Sequence, residues 1–160
     1  MKVCQNTMIY KVPHGETLEI NTIVLDLNGT LSINGIIPPG VKERIQRLRD
    51  DGFKIILFTG NQRENADKLC GSLDIEYKVT PTGTEKESEM LKLDTTKCAA
   101  IGNARIDIGT FKHAKLSILT LQAEGIHTKT LDYVDIIVPS IIDALDLFLN
   151  KDSLCSTLKK

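Results

Sequence analysis

Two rhythms of apolar and polar positions alternate along the chain. Short, nearly continuous apolar runs stand at 22–27 (TIVLDL), 54–59 (KIILFT), 75–80 (IEYKVT), 97–102 (KCAAIG), 115–121 (KLSILTL) and 133–139 (YVDIIVP). Runs of this length, bounded by turn residues, predict strands. The segments between them carry apolar residues at helical spacing. In 38–52 a proline pair precedes Val41, Ile45 and Leu48 on one face, and Gly52 stops the pattern. Segment 61–72 predicts a helix burying Ala66, Leu69 and Cys70. Shorter helices are predicted at 83–93 and 105–114, and an apolar closing helix at 140–150, capped by Ser140. Strands separated by single helices imply a parallel sheet with helices on both faces. Ahead of this unit, 7–20 predicts a two-stranded hairpin turning at His14 and Gly15 and adding an edge to the sheet. The expected organisation is one domain over 1–160: an N-terminal hairpin extension (1–21), a core (22–150) and a polar tail (151–160) that frays.

Composition changes this picture little. Of the 160 residues, 41% are hydrophobic and 26% charged, as in an ordinary globular domain. A net charge of -1 points to neither a nucleic-acid nor a membrane partner. No apolar run reaches the length of a membrane span, and the first residues lack the apolar centre of a signal peptide, so a cytoplasmic location is expected. Cys4, Cys70, Cys98 and Cys155 form no C-x-x-C pair and have no histidine at ligand spacing; Cys70 and Cys98 read as small core residues. His14, His113 and His127 read as surface or packing residues.

In an open parallel sheet, ligands bind at the carboxyl ends of the strands. After the first core strand come Asp26, Leu27, Asn28, Gly29 and Thr30. After the second come Thr59, Gly60 and Asn61, and after the fourth Gly102, Asn103 and Asp107. Lys86 opens the helix before the fourth strand. Each type suits a site for phosphate and a hard cation. The Asp26 carboxylate can attack phosphorus and split one displacement into two through an aspartyl-phosphate. Gly29 lets a turn bring the N–H groups of its neighbours, Leu27 among them, close to phosphate oxygens. Thr59 supplies a hydroxyl, Gly60 and Asn61 supply N–H donors, and Lys86 offsets the charge of phosphate. Magnesium takes oxygen ligands, often only one or two of them carboxylates, which Asp26, Asp107 and the amide oxygen of Asn103 provide. Taken singly, each residue is an ordinary turn, strand end or solvated position. It is their joint fall on one rim that carries the reading.

These residues, as DLNGT, FTGN, Lys86 and GNARID in this order, resemble the four motifs of the haloacid dehalogenase superfamily. The resemblance runs from about Thr22 to Asn150. The preceding hairpin, the DLNGT form and the ending DIIVPSIIDALDLFLN resemble the soluble P-type ATPase-like subgroup. It implies a three-layer Rossmann-like α/β fold with a small flap at 32–39. It also implies magnesium as cofactor, Asp26 as nucleophile and phosphate contacts from Leu27, Gly29, Thr59, Gly60, Asn61 and Lys86. The implied metal ligands are Asp26, the main-chain carbonyl of Asn28, Asn103 and Asp107. Segments 31–41 and 61–86 are too short to hold a cap domain, so a capless member is implied, of the kind that acts on large substrates or borrows a neighbouring subunit as a lid.

Two acids of that pattern are amides here. Asn28 stands where an aspartate ordinarily protonates the leaving group, and asparagine transfers no proton. General acid–base work contributes about 10²- to 10⁴-fold, so slow turnover is expected. Asn103 replaces a metal carboxylate and removes one negative charge. The expected function is a magnesium-dependent phosphohydrolase working slowly through phospho-Asp26 on a phosphorylated substrate. The alternative is a catalytically impaired phosphate-sensing or protein-binding module; a response-regulator-like switch ranks below both, because its acid pair is missing.

Overall fold

The computed structural model describes residues 6–122 and 124–160. Its centre is a sheet of six parallel strands: β3 (Thr22–Leu25), β4 (Lys54–Thr59), β5 (Glu76–Val79), β6 (Cys98–Gly102), β7 (Leu116–Thr120) and β8 (Ile136–Val138). In space they run β5-β4-β3-β6-β7-β8. The chain winds outward from β3 to β5, then returns to lay β6 on the other side of β3. The middle strands β3, β6 and β7 are buried at every position, which is why they read as unbroken apolar runs rather than alternating ones.

Five helices cover the sheet. On one face lie α1 (Val41–Asp50), α2 (Ala66–Leu73) and α5 (Ile141–Leu149), whose Ile45, Leu48, Cys70, Leu145 and Phe148 meet Ile23, Leu25, Ile55, Leu57 and Ile118. On the other lie α3 (Gly83–Leu91) and α4 (Ile108–His113). There Met90 packs on Val24, Ile56 and Phe58, and Phe111 on Ala100 and Leu119. The three-layer arrangement is the one expected.

Three details differ from expectation. The hairpin of β1 (Met8–Lys11) and β2 (Thr17–Ile20) forms, but as a separate two-stranded sheet; β5 and β8 remain the edges of the main one. Its alternation buries Tyr10, Leu18 and Ile20 in the core of the α1/α5 face, and the Tyr10 hydroxyl donates to Phe148 O at 2.9 Å. The tail does not fray: Lys151–Leu158 is a helix, α6. Asn150 caps it by accepting the Ser153 N–H at 3.2 Å, and Leu154 is fully buried. And α2 starts at Ala66 rather than near 61, because Asn61 and Glu64 take left-handed backbone; Leu69 is only half-buried.

After β3 the chain makes the small flap. Ile33 and Ile36 exchange two main-chain hydrogen bonds around Asn34 and Gly35, both at positive φ (51° and 83°). This is the two-residue turn whose twist suits a hairpin, and Asn-Gly is its preferred sequence.

Candidate active site

Asp26 follows β3, Thr59 ends β4, and Asn103 follows β6. The order of the sheet reverses between β3 and β6, so these ends flank the crevice where ligands of such sheets bind. Lys86 arrives from α3. Pro81 follows the end of β5, and Thr82 caps the helix by a reciprocal capping box with Glu85. That fixes Lys86 one turn into α3, where side chains lean back toward the helix start and the sheet rim.

The structure gathers Asp26, Lys86 and Asp107 into one buried cluster. Lys86 Nζ donates to Asp26 Oδ1 at 2.9 Å and to Asp107 Oδ1 at 2.7 Å, and Lys86 is 1% exposed. The other oxygen of Asp107 accepts the N–H groups of Asn103 and Ala104, both at 2.9 Å. Asp107 therefore stands behind Lys86 with both oxygens bonded to protein donors. A short 3-10 turn, Arg105–Asp107, folds it back there. Gly102 makes room: a Cβ on it would lie 2.5 Å from Asp107 Oδ2.

Two carboxylates share one ammonium, leaving a net negative charge. Burial, together with the Asp107 charge, pushes the Asp26 carboxyl up to about 6, against the pull of Lys86 and the Leu27 N–H. Burial acts to discharge Lys86, but the two carboxylates outweigh it and hold the ammonium charged well above its ordinary range. At neutral pH Asp26 is thus mainly ionised, with a cation at its side.

The other expected residues divide by what they already bond. Thr59 is buried, and its Oγ1 accepts the Asn61 N–H at 2.9 Å, so its own proton is left to donate. That contact occupies the Asn61 N–H, and the Asn61 side chain accepts Ala66 N–H at 3.0 Å, so Asn61 shapes the loop rather than offering a donor. The Gly60 N–H has no protein partner among the described residues. The Gly29 N–H is likewise spent, on Ser32 O at 2.8 Å. What Gly29 contributes is conformation: its φ is 77°, and a Cβ there would collide with the Asn103 amide.

A divalent cation meets a mixed donor set. Asp26 offers a carboxylate. The Asn28 carbonyl accepts no hydrogen bond among the described residues. Asn103 Oδ1 accepts the Thr30 hydroxyl at 3.2 Å and retains a second lone pair, while Nδ2 donates to Gly125 O at 2.9 Å. No group of three His, Cys, Asp or Glu side chains gathers as a metal cage among the described residues. Oxygen donors with one carboxylate fit magnesium, which keeps waters and takes phosphate oxygens to complete its shell.

Sequence reasoning placed Thr30 on the rim without a role and passed over Arg63, Gln122 and Glu124. Gln122 Nε2 donates to Gly29 O at 3.1 Å and also to Thr30 O, and its Oε1 accepts Ile141 N–H at 2.8 Å, tying the first turn to the start of α5. Arg63 donates to Asn28 Oδ1 at 2.8 Å and ion-pairs with Glu124. Thr30 lay within the DLNGT string and was open to notice. The other three are single polar residues in loops, with no spacing to mark them.

Comparison with known proteins bears on this crevice. The profile of the family described as hydrolase, haloacid dehalogenase-like, matches residues 34–115, just over half of the chain. The chain belongs to that family. Among curated relatives, this haloacid dehalogenase-like chain is 23% identical to a soluble P-type ATPase-like phosphatase of Methanocaldococcus jannaschii. The match runs over 139 residues, 84% of this chain and 51% of that protein, so it spans about half of the relative's length. Solved structures of the same fold include the cobalt-bound deoxy-D-mannose-octulosonate 8-phosphate phosphatase of Haemophilus influenzae (TM-score 0.67, 15% identity, 88% of this chain and 94% of that one). Another is the 3-deoxy-D-manno-octulosonate 8-phosphate phosphatase of Moraxella catarrhalis, solved with magnesium, phosphate and KDO (TM-score 0.65, 19% identity, 88% and 94%). The family match begins after Asp26, so roles at Asp26–Thr30 rest on the geometry.

Proposed function

We propose that this haloacid dehalogenase-like protein is a magnesium-dependent phosphohydrolase that works slowly through an aspartyl-phosphate on Asp26. The observation that carries the reading is the buried Lys86 bonded to both Asp26 and Asp107 at the crevice where the sheet order reverses. The curated phosphatase relative and the magnesium in a structural neighbour support it.

Lys86 takes one oxygen of Asp26 and leaves the other for attack on phosphorus. Thr59 and the Gly60 N–H donate to non-bridging oxygens, and Lys86 adds positive charge as negative charge gathers there. A bound magnesium ion, held by Asp26, the Asn28 carbonyl and Asn103, would supply Lewis-acid stabilisation of the same oxygens. Asn28 hydrogen-bonds but carries no proton across, so both departure of the alcohol and attack of water proceed without an acid or base beside them.

The decisive test is incubation with magnesium and acetyl phosphate or an aryl phosphate, followed by acid quench and mass spectrometry of the Asp26 peptide. A covalent phosphate on that peptide and slow phosphate release, both lost in Asp26→Asn, are expected. Asn28→Asp restores a proton carrier and should raise turnover by up to about 10²-fold, most for poor leaving groups. Hydrolysis that survives Asp26→Asn ends the reading. A second reading, a phosphate-sensing module, draws on the bonded state of Asn103 and Asp107, which leaves one carboxylate for a cation. It predicts phosphate binding with neither phosphoenzyme nor turnover.

A further inference from the structure

A charged side chain that phosphoryl transfer does not itself require sits beside Asn28, and a second pairs with it. Arg63, in the loop after β4, places Nη1 2.8 Å from Asn28 Oδ1. Its other nitrogen, Nη2, is ion-paired with Glu124, in the loop after β7, and the Glu124 side chain is 14% exposed. Glu124 also accepts the Asn34 N–H of the flap at 3.1 Å. Burial works against its charge, but Arg63 and the Asn34 N–H hold its carboxyl below the ordinary range.

A guanidinium has donors and no acceptor. The amide atom facing Arg63 must therefore be the oxygen of Asn28, and Nδ2 is the end turned away from it. No hydrogen-bond partner takes Nδ2 among the described residues. We propose that Arg63, braced by Glu124, is a positioning residue that turns the Asn28 amide so that its N–H meets the oxygen leaving phosphorus.

This role deepens the phosphatase reading and rests on it. As Asp26 attacks, an O–P bond forms and the bond from phosphorus to the departing oxygen breaks. The electron pair stays on that oxygen, which leaves as an anion and takes its proton from water. Asn28 gives up no proton; its N–H steadies the charge while it develops. The terminal torsion of asparagine is soft and nearly two-fold. Without Arg63 the amide would present its oxygen about as readily as its nitrogen, and the oxygen repels a developing anion. Glu124 keeps the guanidinium from swinging into the crevice, where it would bind phosphate instead.

The test uses the full chain with magnesium and a series of aryl phosphates whose phenols differ in acidity. Arg63→Ala should slow first-turnover phenol release, the step that forms the phosphoenzyme, roughly tenfold for the least acidic phenol and less than about twofold for the most acidic, with KM little changed. Glu124→Gln should move that first-turnover rate the same way by less. In an Asn28→Ala background the Arg63 change should cost almost nothing more. A loss uniform across phenols, a loss confined to KM, or full additivity with Asn28→Ala would overturn the role and make Arg63 a phosphate contact or a mere brace. The side-chain amide signals of Asn28 in ¹⁵N spectra give a readout apart from turnover. They should shift in Arg63→Ala and Glu124→Gln, and unchanged signals would also defeat the proposal. If the wild type forms no phosphoenzyme and hydrolyses nothing, the phosphatase reading falls and the leaving-group role falls with it. If it turns over with a uniform Arg63 effect, only the positioning role falls.

Discussion

Burial first, and the neighbouring Asp107 charge second, decide the behaviour of Asp26. Its carboxyl stands at about 6 where 3.8 is ordinary, so the folded state binds this proton more tightly than the unfolded one. Below about pH 4 both states are protonated and the group costs nothing. Between about pH 4 and 6 the unfolded chain gives up the proton while the folded one keeps it, so stability falls by up to about 3 kcal/mol and stays lowered above pH 6. Lys86 has the opposite sign, its contribution present through neutral pH and lost only above the ordinary lysine range. In chelator-treated protein, Asp26→Asn should therefore melt higher than wild type at pH 7, and the gap should close near pH 4. Equal melting at pH 7 would mean that the ionised Asp26 costs the fold nothing beside Lys86. Asn103→Asp restores a second negative ligand. It should tighten magnesium at least about tenfold, read by calorimetry or by the magnesium-dependent rise in melting temperature; unchanged affinity would remove Asn103 from the ligand set.

Among the elements, α6 shows where the sequence was hard to read. Only Leu154, Cys155 and Leu158 interrupt its polar residues, too little apolar density to predict burial. Yet Leu154 is 0% exposed and joins the main core. Leu154→Ala should cost about 2–4 kcal/mol in urea unfolding, by lost transfer energy and the cavity left behind, without changing magnesium response or KM. A cost near zero would restore the picture of a frayed tail. The central strands were legible for the converse reason: buried on both faces, they carry no charged position to break the run. The hairpin was legible in itself, since alternation says which side of it is apolar. Alternation does not say what that side will meet, and here it meets α5 and α6 rather than a sheet edge. The site was legible wherever chemistry and chain punctuation coincide, at Asp26, Thr59, Lys86, Asn103 and Asp107. It was illegible where one loop side chain reaches another far along the chain, as Arg63 does to Glu124, or where a main-chain N–H goes to a local partner, as at Gly29 and Asn61.

Taken whole, the molecule separates its reactive end from its reinforced side. The hairpin, α5 and α6 are joined through Tyr10, Phe148 and Leu154 within one core, while the strand ends carry Asp26, Thr59 and Asn103. Tyr10→Phe deletes the hydrogen bond to Phe148 O and should lower stability by about 1 kcal/mol with no change in phosphate release. A matching loss of activity would show that the two regions are coupled. Among the described residues no helix is long and apolar enough to cross a membrane.

The placing of β6 beside β3 also has a meaning for the chain's life before it is finished. Asp26 is synthesised early; its ammonium, its backing carboxylate and the adjoining strand all emerge later, from Lys86 to Asp107. A nascent or truncated chain ending before β6 has Lys86 but neither Asp107 nor the strand that flanks Asp26 on its other side. On the proposed mechanism, phosphorylation of Asp26 therefore waits for completion of the sheet, and appearance of a phosphorylated Asp26 during refolding would time the docking of β6 against β3.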